Sequence, residues 1–159
     1  MPIEIVEVRP DSADAVQLIR ELDAHLLSHS YPPQSRHAFS VDKLIREGVV
    51  FFITYCDEQL AGCGGIKMFD EYGEVKRMFV RPVHRGKGLG KAMLNRLADY
   101  ATSQEVGLLR LETGIHEVEA IGLYEAFGFR RRAPFGDYLE DPLSIYFEKG
   151  SNERVRLSR

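Results

Sequence analysis

Arg85-Gly86-Lys87-Gly88-Leu89-Gly90 puts three glycines and two cations into six residues, directly ahead of an amphipathic stretch. Glycines let a backbone curl until several N–H groups point at one spot, and a helix N-terminus adds roughly half a unit of positive charge. Residues 75–98 also carry Lys76, Arg77, Arg81, Lys91 and Arg96 and no acidic side chain, although the formal charge of the whole chain is −3. That concentration suits a multiply charged anion. Two phosphate loops are excluded by spacing. A nucleotide P-loop needs glycine where Arg85 stands and Ser or Thr where Ala92 stands. A dinucleotide fingerprint needs its third glycine where Lys91 or Met93 stands.

Other reactive side chains offer less. Cys56 and Cys63 are too few for a disulfide framework, and no histidine or helix start adjoins Cys63 to activate it, so a small core cysteine is expected. His25, His29, His37, His84 and His116 show no compact ligand spacing. His25 and His29 lie one helical turn apart and read as a solvated face, so no metal is expected. Two loops mix aromatics with charges: Tyr31-Pro32-Pro33-Gln34-Ser35-Arg36-His37 and Pro134-Phe135-Gly136-Asp137-Tyr138-Leu139-Glu140-Asp141-Pro142.

The elements that must position these residues follow from periodicity. A short β-branched strand over 3–8 stops at Pro10-Asp11. Asp11 or Ser12 then caps a helix with Val16, Ile19, Leu22 and Leu26 on one face. Ser40 caps a shorter helix that Gly48 ends. Apolar strands over 49–56, 60–69 and 74–80, joined by tight polar turns, read as an antiparallel meander. Pro82 closes it, the glycine turn comes next, and Leu89, Met93, Leu97 and Tyr100 line the helix after it. A strand over 108–111, a helix over 118–127 ended by Gly128, and strands at Phe129 and over 144–148 complete a mixed sheet. Residues 1–150 read as one domain and 151–159 as a frayed basic tail. With 159 residues, 44% hydrophobic and 28% charged, the chain can bury a real core. Net charge −3 argues against nucleic-acid binding. No apolar run is long enough to span a membrane, and the first residues lack signal-peptide character, so a cytoplasmic protein is expected.

Arg85-x-x-Gly88-x-Gly90, after a strand and before a helix, resembles the coenzyme A motif of the GCN5-related N-acetyltransferase (GNAT) superfamily. Met78-Phe79-Val80-Arg81-Pro82 is similar to that family's fourth strand. Ala120-Ile121-Gly122-Leu123-Tyr124-Glu125-Ala126-Phe127-Gly128-Phe129 is similar to its late helix and following strand. The two aromatic loops are similar to those of an uncharacterised bacterial subgroup. One departure stands at Glu117, where the family often has Asn near the pantetheine arm.

The resemblance implies an α/β (α+β) fold, with a mixed, mostly antiparallel sheet of six to seven strands and about four helices. It implies acyl transfer from acetyl-CoA to an amine. Arg85, Gly86, Lys87, Gly88, Leu89, Gly90 and Lys91 would hold the diphosphate. Met78, Phe79 and Val80 would bind the pantetheine arm as an added strand. Glu74 is the implied general base, and Tyr124, beside the coenzyme sulfur, the implied acid for the leaving thiolate. Arg36, His37, Arg77 and Asp137 fall by analogy at the acceptor pocket, where arginine could clamp a carboxylate and Asp137 receive an ammonium. The acceptor is thus read as a small, amino-acid-like amine. A protein lysine or N-terminus, or a non-catalytic coenzyme A sensor, are the alternatives, and a homodimer is left open.

Overall fold

The computed structural model describes residues 2–29, 31–35 and 40–150. Among them the order is β1 (Ile3–Val8), α1 (Ala13–Leu27), a 3₁₀ turn (Pro33–Ser35), α2 (Val41–Arg46), β2 (Val50–Cys56), β3 (Gln59–Met68) and β4 (Gly73–Val80). The order continues with a second 3₁₀ turn (Pro82–His84), α3 (Leu89–Ser103), β5 (Leu108–Gly114), α4 (Val118–Phe127), β6 (Arg130–Arg132) and β7 (Ser144–Gly150). The seven strands form one sheet in the order β1-β2-β3-β4-β5-β7-β6. Every neighbouring pair is antiparallel except β4 and β5. The expected mixed fold is therefore present. The last strands differ in detail: Phe129 packs in the core, and β6 begins one residue later at Arg130.

Strands that are apolar on both faces need cover on both sides. In β2, Phe51 and Ile53 pack with Leu18, Leu22 and Leu44 of α1 and α2, while Phe52 between them packs with Leu94 and Leu97 of α3. The helices therefore flank the sheet, α1 and α2 on one face, α3 and α4 on the other. Leu97 is fully buried, so truncating it to alanine would cost about 2–5 kcal/mol. Ser40 caps α2 as expected, its hydroxyl accepting from the Lys43 N–H at 3.2 Å. Ser12 occupies the N-cap of α1, but its side chain makes no cap bond and its Oγ is buried without a partner. Gly128 ends α4 at φ +107°, a conformation that avoids the β-carbon penalty.

Two irregularities of β4 open the sheet beside it. Pairing with β3 runs Cys63↔Phe79 and then Gly65↔Lys76, so Gly64 faces both Arg77 and Met78 across a bulge. Arg77 takes the extra turn at φ +57°. On its other edge β4 pairs with β5 at Gly73↔Leu109 and Glu74↔Arg110 alone. Beyond Glu74 the two strands part.

Candidate active site

A cavity of about 970 Å³ occupies the parting of β4 and β5. Met78, Phe79 and Val80 on β4 line it, as do Arg85, Gly86, Gly88, Leu89, Gly90 and Lys91 of the glycine turn. Gly86 and Gly88 both sit at φ +80°, where a β-carbon is disfavoured, and Gly88 is the N-cap of α3. The first turn of α3 carries no acidic residue. The glycine turn and the start of α3 thus line the cavity, with Glu119 of α4 the carboxylate beside them. Arg85 braces the turn: its Nε donates to the Val80 carbonyl at 3.0 Å, and its Nη1 pairs with Glu119 at 3.2 Å.

Gly90 has a different reason for its size. A β-carbon there would meet Leu123 Cδ2 at 2.6 Å, so this glycine seats α3 against α4. Lys87 does not line the cavity. It is exposed, and its ammonium lies 3.2 Å from His84 Nδ1.

Glu74, the expected base, sits at the last pair of β4 with β5, where the two strands begin to separate. Glu74 is buried and accepts from the Tyr138 hydroxyl at 2.6 Å and from Lys76 Nζ at 2.9 Å. Burial lowers the Lys76 pKa, and the Glu74 carboxylate opposes that shift. Across the cleft stands Glu112 on β5, which accepts from the Ser144 hydroxyl at 2.8 Å. Burial raises the Glu112 carboxyl to about 7, against the pull of Ser144 and Lys76. Its ionisation therefore falls in the range where a general base is most effective. Tyr124 is buried on α4 and lines the same cavity. Burial, then the charges of Glu112 and Glu117, push its phenol well above the usual value, so it is a proton donor at neutral pH. Tyr138 shifts the same way, through burial and the adjacent Glu74.

A second cluster closes the cavity from α1. His25 Nε2 lies 2.8 Å from Glu117 Oε1, and His29 Nδ1 lies 2.5 Å from Oε2. Tyr31 donates to the same Oε2 at 2.9 Å and accepts from the His116 N–H at 2.9 Å. The expectation of a solvated histidine face is thus overturned. The i,i+4 spacing aims both rings at one buried carboxylate that lies 92 and 88 residues away in sequence.

Residues 16–129 match the acetyltransferase (GNAT) family. The chain belongs to that family. It is an N-acetyltransferase by descent and an acyltransferase by class. It is 40% identical to the IAA acetyltransferase of Azospirillum brasilense over 149 residues, which cover 92% of this chain and 97% of that one. It is 35% identical to the uncharacterized N-acetyltransferase YsnE of Bacillus subtilis over 149 residues, 91% of this chain and 99% of the relative. Among solved structures, an acyl-CoA N-acyltransferase of Klebsiella pneumoniae, so assigned provisionally, superposes with a TM-score of 0.78 at 33% identity. That alignment covers 93% of this chain and 97% of the other. The PaiA N-acetyltransferase of Thermoplasma acidophilum, solved with coenzyme A, shares the fold: TM-score 0.76, 20% identity, 94% and 99% coverage.

Within this GNAT fold, the residues expected at the acceptor pocket divide. Arg77 lines the cavity, but its Nη2 binds Asp23 and, at 3.5 Å, the Ile19 carbonyl of α1. It therefore ties α1 to β4, and its Nε is buried without a partner. Asp137 is exposed on the turn and is not among the residues lining the cavity, while its neighbour Tyr138 turns inward to Glu74. A one-residue step on a turn reverses which side chain enters. Arg36 and His37 lie outside the described residues. Cys63 is a core cysteine as expected, donating to the Arg77 carbonyl at 3.3 Å, with burial pushing its thiol up to about 12. Sequence reasoning missed Glu112 and Tyr138. Glu112 left no local trace, since strand alternation puts it in phase with Arg110 and opposite to the buried Leu109 and Leu111.

Proposed function

We propose that the chain transfers the acetyl group of acetyl-CoA to the amine of a small, amino-acid-like acceptor by direct attack. The observation that carries this reading is the β4–β5 cleft, a single cavity lined by both the glycine turn and the Glu74–Glu112–Tyr124 group. In this reading the turn from Arg85 to Lys91 holds the diphosphate, and the edge of Met78, Phe79 and Val80 that β5 leaves uncovered hydrogen-bonds the pantetheine arm as an added strand.

The free amine attacks the thioester carbonyl carbon, forming C–N as C–S breaks. The amine's proton goes to the Glu74–Glu112 carboxyl pair, Glu112 being the member that ionises near neutral pH. The leaving thiolate takes a proton from Tyr124, which is then replenished through the same polar group. Glu74, held by Lys76 and Tyr138, keeps the acceptor end polar and oriented. A cavity of about 970 Å³ that must also admit the coenzyme's arm favours a small acceptor. Lys76 and Arg77 on its wall favour one bearing a carboxylate. The 40% identical relative named an IAA acetyltransferase supports the acetyl-transfer step.

The test monitors thiol release from acetyl-CoA against a panel of amino acids, their decarboxylated amines and lysine-containing peptides. Turnover of small amines, suppressed in Glu112→Gln, is the expected result. Release confined to peptides, or no release above hydrolysis, would remove the reading.

A further inference from the structure

We propose that His25, His29 and Glu117 form a binding site for one divalent transition-metal ion, zinc by preference. The three side chains offer one ligand atom each, and these atoms all lie within 4.8 Å of one another. Zinc holds imidazole nitrogens and carboxylate oxygens at about 2.0–2.2 Å, which sets tetrahedral ligand atoms roughly 3.3 Å apart. His25 Nε2 and His29 Nδ1 would draw back from the Glu117 oxygens they now touch at 2.8 and 2.5 Å and settle to that spacing from each other, starting from within 4.8 Å. Two histidines and a glutamate are a donor set zinc takes readily, His25 coming from α1 and His29 from the turn that follows it.

The site is built rather than incidental. Glu117 is the N-cap of α4, fixed by its N–H to the Gly114 carbonyl at 3.1 Å and by its own carbonyl, which accepts from the Ile121 N–H at 2.9 Å. Tyr31 orients the carboxylate from behind, as an outer-shell partner does in metal sites. Gly114 is what lets it: a β-carbon there would fall 2.1 Å from the Tyr31 hydroxyl oxygen. The Glu117 side chain is 8% exposed, while those of His25 and His29 are 31% and 27% exposed, and all three line the cavity. Three protein ligands leave a fourth position open to that cavity. An anionic group of the acceptor is the ligand such a position would take. That last role rests on the acetyl-transfer reading, whereas the metal site does not.

The test uses the full chain, freed of metal by chelator and dialysed, in zinc calorimetry and cobalt(II) absorption. One equivalent with micromolar or tighter affinity, and the strong visible bands of tetrahedral cobalt, are expected. His25→Ala and His29→Ala should each weaken binding by roughly 100-fold or more, and Tyr31→Phe by roughly 10-fold. His116→Ala, whose ring centroid lies 6.4 Å from that of His29, should leave affinity unchanged. Circular dichroism confirms that each variant folds, and the part-exposed histidines are the variants least able to disturb the core. No binding by the parent chain, or binding by both histidine variants as tight as the parent's, would overturn the site. Either result would leave the acetyl-transfer reading, judged by thiol release, untouched.

Discussion

The half of the cavity proposed to hold the coenzyme and the half proposed to hold the acceptor are made by different means. The first is assembled from one contiguous segment, Met78 to Lys91, and works through backbone: a bulged strand edge, two glycines at positive φ and a helix start. The second is assembled from side chains scattered along the chain. Tyr138 reaches Glu74 across 64 residues, Ser144 reaches Glu112 across 32, and His25 reaches Glu117 across 92. Backbone recognition tolerates sequence change wherever the turn geometry survives. Side-chain networks change chemistry with each substitution.

The sharpest way to break this comparison is at Gly88. Gly88→Val places a β-branched residue at φ +80° beside open space, so the loss comes from turn strain, not from a clash with protein. Acetyl-CoA affinity should fall about 100-fold or more, equally for every acceptor, by calorimetry on folded protein. Gly90→Val should instead destabilise the α3–α4 contact through Leu123, seen as a lowered melting temperature. Unchanged coenzyme affinity in Gly88→Val would mean the turn does not carry the donor.

On the acceptor side, Glu112→Gln should lower kcat/KM by roughly 10²–10³-fold with coenzyme affinity preserved. The parent's rate should rise as pH increases through about 7, since a base must be deprotonated, and that limb should vanish in the variant. Stability gives an independent reading with its own sign. The folded pKa of Glu112 is raised, so the folded state binds its proton more tightly than the unfolded one between the ordinary carboxylate value and about 7. Over that window the carboxyl's contribution to stability falls as pH rises. Glu112→Gln should therefore gain about 1–3 kcal/mol relative to the parent at pH 8 compared with pH 4, by denaturant titration. A parallel pH dependence in both proteins would place Glu112 in solvent.

Tyr124→Phe removes the proposed proton donor while leaving the packing of α4 nearly intact. A loss of about 10-fold in kcat, with KM for acetyl-CoA unchanged, is expected, because a thiolate leaves with some ease unassisted. The smallest effect concerns Arg77. If its guanidinium contributes to reading an acceptor carboxylate beyond tying down Asp23, Arg77→Lys should reduce the preference for an amino acid over its decarboxylated amine by about 3- to 10-fold. Equal rates for the two acceptors in the parent would return the acceptor side to amines without a carboxylate.

The sequence alone determined the mixed sheet, the flanking helices and the glycine turn, while Glu74 and Tyr124 came to notice through the family resemblance and not through local pattern. Each of the first three signals is local: a period of two or 3.6, a cap, a proline, or glycines at fixed spacing, all readable within a few residues. Tertiary structure decided the rest. Sheet register set Ser144 opposite Gly114 and brought its hydroxyl to Glu112, while burial moved that carboxyl toward neutrality. Tyr138 rather than Asp137 entered the cavity because of how one turn faces. His25 and His29 became a convergent pair only when α4 presented Glu117 to α1. Such outcomes depend on loop closures of tens of residues and on the local dielectric, and neither is written in the spacing of residues along a chain.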